Sequence, residues 1–184
     1  ELMHLENTLN VDRSVADFND PDACVRTVFD CLPEAVINAA AYTLVDKAET
    51  NEDEAMRINA KTPAEIAKAC KELNIPIIHL STEYVFEGSG ANPWKPTDPT
   101  YPLNAYGRSK LLGEKEIIKS GAQYIIIRTS WVISSHGSNF VKKIVSAANK
   151  SKPLKVVSDQ FGAPTPARDI AKACITIANK LKNC

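Results

Sequence analysis

Tyr106 and Lys110 stand four residues apart in NAYGRSK at 104–110, and Thr82 follows Ser81 in STEYVF at 81–86. On a helix, residues four apart share a face, with Cβ atoms about 5–6 Å from one another. That spacing sets an ammonium beside a phenol. A free tyrosine ionises at about pH 10 and is a poor proton donor at neutral pH, but a fixed positive charge stabilises the phenolate and brings the group toward the working range. A threonine hydroxyl just past a strand end can hydrogen-bond the same substrate oxygen. The three side chains together have the chemistry to protonate a carbonyl oxygen as hydride reaches its carbon. Tyr-x-x-x-Lys by itself is a weak signal, because such pairs are common on solvated helix surfaces. A strand ending in Ser-Thr, then a proline-rich loop, then Tyr-x-x-x-Lys opening a helix is a much stronger one.

Such a site needs a strand to deliver Thr82 and a helix to deliver the other two. Short β-branched runs alternate with amphipathic stretches along the chain, the pattern of a parallel sheet flanked by helices. The strand candidates are AVINAA (35–40), IPIIHLS (75–81), QYIIIRTS (123–130) and LKVVS (154–158), with a weaker one at LMHLE (2–6). Their continuous apolar character implies burial on both faces. His79, inside the second of these, reads as a satisfied buried histidine. Thr62-Pro63-Ala64-Glu65 combines a capping hydroxyl, a first-turn proline and a capping-box glutamate, which predicts a helix from 63 to Leu73. Phe140, Ile144 and Ala147 draw one helical stripe, and Ile170, Cys174, Ile177 and Leu181 another; both are expected to be core faces. EGSGANPWKPTDPTYP at 87–102 reads as a loop leading into the helix that starts near Tyr106.

The 184 residues fit a single domain, and the 22 basic residues cancel the 22 acidic ones without forming charged tails. That balance gives no electrostatic footprint for nucleic acid or an anionic membrane. The longest apolar runs are far below the roughly 18 residues of a membrane span, so the chain reads as soluble and cytoplasmic. Cys24, Cys31, Cys70, Cys174 and Cys184 are odd in number and lack ligand spacing, and are expected to be reduced structural thiols rather than metal ligands or disulfides.

INAAAYTLVDKAE (37–49), STEYVFEG (81–88), PLNAYGRSKLLGEK (102–115), IRTSW (127–131) and SDQFGAPT (158–165) are long and ordered along the chain. Over about Leu2 to Leu181 they resemble the extended short-chain dehydrogenase/reductase family, and within it the branch acting on dTDP-linked 4-keto-6-deoxy sugars. The resemblance implies an α/β fold, a Rossmann-type doubly wound parallel sheet with flanking helices, with residues 1–184 forming an NAD(P)-binding Rossmann-like domain. It implies reduction by NADPH or NADH of the C4 ketone of dTDP-6-deoxy-L-lyxo-4-hexulose to dTDP-L-rhamnose, a precursor of surface polysaccharide. In that reading Tyr106 is the proton donor, Lys110 lowers its pKa and holds the nicotinamide ribose, and Thr82 orients the keto oxygen. Glu6, Asp17, Phe18, Ala41, Tyr42 and Thr43 fall at cofactor-binding positions, and Glu83 and Trp131 at substrate-binding ones. Phe18 and Trp131 also read as plain core aromatics. No metal site is implied, and a homodimer is compatible with a sequence that fixes no oligomeric state.

The sequence departs from the family in two ways. Glu83 stands where the family has Asp, and the extra methylene moves its carboxylate, and with it the substrate contact the resemblance implies, by more than about an ångström. The seven glycines, at 88, 90, 107, 113, 121, 137 and 162, make no phosphate-cradling turn. The expectation is that the family's first strand and helix, and much of its C-terminal substrate domain, are absent from these residues. Two further readings follow. One is a non-catalytic regulatory subunit resembling the β-subunit of methionine adenosyltransferase, against which RTSW and DQFGAPT argue. The other is an inactive, truncated reductase domain.

Overall fold

The β-branched runs around Ile37, Ile78 and Ile126 form three strands: β1 (Val36–Asn38), β2 (Ile77–Thr82) and β3 (Tyr124–Thr129). They lie parallel in the order β1-β2-β3, with Asn38 registered on His79 and Thr82 on Thr129. The computed structural model describes residues 8–90, 92–149, 153 and 155–181. Strand alternation sends Ile77 to one face of the sheet and Ile78 to the other. On the first face Ile77 packs with Cys24 and Val28 of α1 (Pro21–Cys31), Ile66 and Cys70 of α4 (Thr62–Glu72) and Ile117 of α5 (Ala105–Ser120). On the second, Ile78 packs with Ile170, Cys174 and Ala178 of α7 (Ala167–Leu181). The result is an α/β fold with helices on both faces, and the strand runs are apolar throughout for that reason.

Local sequence explains where the crossover helices begin. Asp20 caps α1, its carboxylate accepting from the Ala23 N–H at 3.1 Å, with Pro21 at the first helical position. Asn104 caps α5, accepting from the Gly107 N–H at 2.7 Å, and Gly121 ends it at φ 73°. The loop expected at 87–102 precedes α5, and Trp94 stacks on Phe86 with ring centroids 5.0 Å apart.

The segment before Thr62 folds differently from its sequence reading. It is already helical, through α2 (Val45–Ala48), α3 (Glu52–Met56) and a π-helical turn at Arg57–Lys61. Thr62 therefore caps nothing: its backbone is helical, its N–H donates to Arg57 five residues back, and its hydroxyl donates to the Phe18 carbonyl at 2.7 Å. Pro63 lacks the N–H that would meet the Asn59 carbonyl, and a proline ring inside a regular helix collides with that carbonyl. The widened turn places the mismatch just before the proline.

Three other expectations change. Residues 155–158 form no strand; a short parallel pair, β4 (Val132–Ile133) and β5 (Thr165–Pro166), occupies this part of the chain instead. α6 (Phe140–Ala148) forms where its stripe predicts, yet none of its residues is buried. LMHLE at 2–6, including Glu6, lies outside the described residues. Cys24, Cys70 and Cys174 are buried free thiols, and Cys31 is exposed. Among the described residues no helix is long and apolar enough to cross a membrane.

Candidate active site

β2 ends at Thr82, and the chain turns at once through a 3₁₀ segment, Glu83–Val85. The Thr82 hydroxyl accepts from the Tyr84 N–H at 3.2 Å and donates to Glu83 Oε2 at 3.2 Å. It lies close enough to the phenol of Tyr106 to favour its ionised form. Thr82 and Tyr106, 24 positions apart in the chain, are thus brought side by side. The Tyr84 ring stands edge-on to Tyr106, centroids 5.5 Å apart. Gly107 allows this approach, since a Cβ there would come within 2.2 Å of the Tyr84 carbonyl oxygen.

Lys110 follows one turn along α5 and is 1% exposed. Its amine donates to the Leu80 carbonyl at 2.7 Å and lies 3.1 Å from His79 Nε2. Burial pushes it down to about 8, partly opposed by the charge of Glu114. Burial also raises the Tyr106 phenol, with the Thr82 hydroxyl opposing and the negative charge of Glu83 adding to the rise. The Lys110 amine, expected to lower Tyr106, is turned onto the β2 backbone and His79 in the free chain. Glu83 is itself raised by burial.

The turn after β1 forms the adjoining wall. Tyr42 is buried with Ala48, Ala55 and Ala105 and packs beside Tyr106, while Ala41 is half-buried and Thr43 exposed. Asn59, fully buried in the π-helical turn, fixes this wall. Its Oδ1 accepts from the Tyr42 N–H at 2.8 Å, and its amide nitrogen donates to the Tyr42 carbonyl at 3.1 Å and to Ser109 Oγ at 2.9 Å. One side chain thus ties the turn to the helix carrying Tyr106 and Lys110. A Cβ at Gly113 would lie 2.0 Å from the Asn59 carbonyl oxygen, so only glycine allows α5 this close. Sequence reasoning passed over Asn59; an asparagine just ahead of a helix-interior proline was the available signal.

A second buried brace lies one turn beyond Lys110. Glu114 is paired bidentately with Arg128 of β3, at 3.0 and 2.7 Å, and accepts from Ser81 Oγ at 2.5 Å. Arg128 also donates to the Pro96 carbonyl at 3.1 Å and covers the Phe86 ring at 5.0 Å, which anchors the proline-rich loop over the site.

The other sequence candidates lie further out. The Asp17 carboxylate accepts from the Asn19 N–H at 2.9 Å and from Arg13 at 3.1 Å and is lowered by these bonds. Phe18 packs against the α1–α4 core. Trp131 is 39% exposed, not a core aromatic, and sits at φ 42°, a conformation costly for a bulky residue. Gly162 lies flat against its indole, where a Cβ would come within 2.7 Å. Among the described residues no group of His, Cys, Asp or Glu could hold a metal ion.

Residues 2–183 match the family model described as the RmlD substrate binding domain. The chain belongs to this family. It is 46% identical over 155 residues to dTDP-4-dehydrorhamnose reductase of Escherichia coli K12, an alignment covering 84% of this chain and 52% of the relative. The Burkholderia thailandensis protein of the same name is 43% identical, over 86% of this chain and 53% of its own length. The chain therefore spans about half the length of these relatives. Among solved structures, dTDP-4-dehydrorhamnose reductase of Bacillus anthracis in complex with NADP superposes with a TM-score of 0.89 at 31% identity, covering 94% of this chain and 62% of that one. The Clostridium acetobutylicum reductase gives 0.90 at 34% identity, over 98% of this chain and 65% of that one. This RmlD family chain thus has a Rossmann-like α/β fold.

Proposed function

We propose that this chain carries the catalytic centre of an NAD(P)H-dependent reductase that converts the C4 ketone of dTDP-6-deoxy-L-lyxo-4-hexulose to the alcohol of dTDP-L-rhamnose. The observation that carries the reading is the placement of the Thr82 hydroxyl beside the Tyr106 phenol at the carboxyl end of β2, with the Lys110 amine one helical turn behind. Family membership and the relatives' shared name supply the substrate class. Carboxyl ends of parallel strands are where such sheets bind ligands.

The residues present fit the nicotinamide end of the cofactor. The run Ala39-Ala40-Ala41 after β1 carries only methyl side chains, with Ala39 and Ala40 exposed, and the buried amine of Lys110, from α5, rests against the backbone of the next strand, β2. Residues 1–184 act in this reading as the NAD(P)-binding domain, with Tyr42 and Thr43 lining the cofactor, Asp17 and Phe18 toward the adenine, and Glu6 toward the ribose. NADPH or NADH, when bound, supplies hydride to C4.

Thr82 and Tyr106 converge on the ketone oxygen, and Tyr106 gives up its phenolic proton as negative charge develops there. A charged Lys110 stabilises the phenolate left behind until solvent reprotonates it. The Thr82 proton, held by Glu83 Oε2 in the free chain, swings to the ketone oxygen when the sugar binds, and the half-exposed Trp131 offers an aromatic face to the apolar face of the sugar.

The test is titration of the chain with NADPH and NADH by nicotinamide fluorescence, followed by the dTDP-keto sugar. The reading expects saturable binding and then consumption of the reduced cofactor on adding the sugar. Saturable binding with no consumption by folded protein overturns the catalytic assignment and favours the regulatory-subunit reading.

A further inference from the structure

The contacts around His79 set a hydrogen-bonding constraint on Lys110. Asn38 and His79 are cross-strand partners on β1 and β2 and are both buried. Asn38 Oδ1 accepts from the Ala40 N–H at 3.0 Å, which identifies the amide oxygen and turns the amide nitrogen toward His79 Nδ1, 3.0 Å away. An amide nitrogen only donates, so Nδ1 must accept. Burial holds the imidazole well below its usual range, so it is neutral. A neutral ring with Nδ1 accepting carries its proton on Nε2, and Nε2 faces Lys110 Nζ at 3.1 Å. Only an uncharged amine has the lone pair to receive that proton; an ammonium there would set donor against donor.

We infer that His79, its tautomer fixed by Asn38, is a positioning residue for Lys110: it holds the neutral amine by donating Nε2–H, and charging Lys110 requires the imidazole proton to sit on Nδ1 and the Asn38 amide to turn over. The protons balance as a relay. A proton reaches Nδ1 as the Nε2 proton passes to Nζ, a net uptake of one. With the Asn38 amide reversed, its oxygen accepts Nδ1–H and the Ala40 N–H loses its acceptor. The charge on Lys110 is thereby coupled to the turn after β1. That last link rests on the proposed function, which gives this turn to the cofactor; the His79–Lys110 relation does not.

The other charges nearby leave this relation intact. On α5 itself Glu114 faces Lys110, but both its oxygens are engaged by Arg128 of β3. Glu83 of the 3₁₀ turn acts on Tyr106 and Tyr84, and Asp46 of α2 on Tyr84. The contact from β1 is the neutral Asn38.

The experiment is NMR on the chain with ¹⁵N-histidine and ¹³C-lysine, reading the His79 tautomer from two-bond nitrogen–proton correlations and Lys110 from its Cε shift. As pH rises through the Lys110 midpoint, expected at about 8, His79 should change from the Nδ1–H to the Nε2–H tautomer with the same midpoint. His79→Gln, which presents a carbonyl to the amine, and Asn38→Asp, which accepts Nδ1–H permanently, should each raise that midpoint by about one pH unit or more. If one variant does not fold, the other carries the test. A His79 tautomer constant across the Lys110 titration, or midpoints unmoved in the folded variants, overturns the inference. These signals are read without cofactor or substrate, so their outcome is separable from that of the proposed reaction. Where turnover is measurable, the limb of its pH profile belonging to Lys110 should move with the NMR midpoint.

Discussion

Replacing Asn59 by alanine should loosen the turn at Tyr42 from α5 more than any surface change could. The side chain makes three buried hydrogen bonds, two to the Tyr42 backbone and one to Ser109. Each contributes about 1 kcal/mol net, and leaving the Tyr42 N–H buried without an acceptor costs a further 1–3 kcal/mol or so. The better helix propensity of alanine returns roughly 0.5 kcal/mol. The expected loss is therefore about 3.5–5.5 kcal/mol, a large share of the roughly 5–15 kcal/mol that holds a domain together. In urea denaturation followed by circular dichroism, with a slope of about 2 kcal/mol per molar, the midpoint should fall by roughly 1.5 M or more with the slope unchanged. Asn59→Asp should be no milder, because it keeps the acceptor for Tyr42 N–H but sets an oxygen against the Tyr42 carbonyl. A midpoint shift under about 0.5 M for either variant would refute the reasoning.

Further outcomes follow from the same contacts. Gly113→Ala drives a Cβ to within 2.0 Å of the Asn59 carbonyl oxygen, and should cost about 1–3 kcal/mol of unfolding free energy in the same assay. Arg128→Met strands the buried Glu114 carboxylate and should cost roughly 3–5 kcal/mol in the same assay; an unchanged midpoint would contradict this. Because Lys110 has a folded pKa of about 8 against the ordinary 10.5, the unfolded chain binds more protons between these values and stability should rise with pH across that window. The rise amounts to roughly 3 kcal/mol, and Lys110→Met should flatten it. His79, also lowered by burial, works in the acid range: below about pH 6.5 the unfolded chain takes up a proton the folded chain refuses, so stability should fall as pH falls.

Much of the fold was legible because β-branched runs and capping residues act locally. Ile37, Ile78 and Ile126 marked the three strands, and the proline-rich loop running up to Tyr106 marked α5. Thr62-Pro63 misled because a capping hydroxyl before proline has the same sequence signature whether or not the preceding residues are already helical; the π-helical turn ahead of it accommodates Pro63 and packs closely on Gly113 of α5. The stripe on α6 correctly gave a helix, but periodicity reports an apolar face and not what covers it. At the site, Thr82, Tyr106 and Lys110 were legible as a pattern of types and spacing. Asn59, His79 and Arg128 were not assigned site roles, since their partners lie 50, 31 and 14 positions away and are brought close only by strand register and crossover packing.

The most direct test of the central claim compares hydride transfer by the wild-type chain, Tyr106→Phe and Thr82→Val, with NADPH and the dTDP-keto sugar in single-turnover mixing. The account predicts cofactor binding nearly unchanged in both variants, with transfer lost in Tyr106→Phe by a factor of about 10²–10⁴ and reduced in Thr82→Val. Transfer by Tyr106→Phe at the wild-type rate would contradict it.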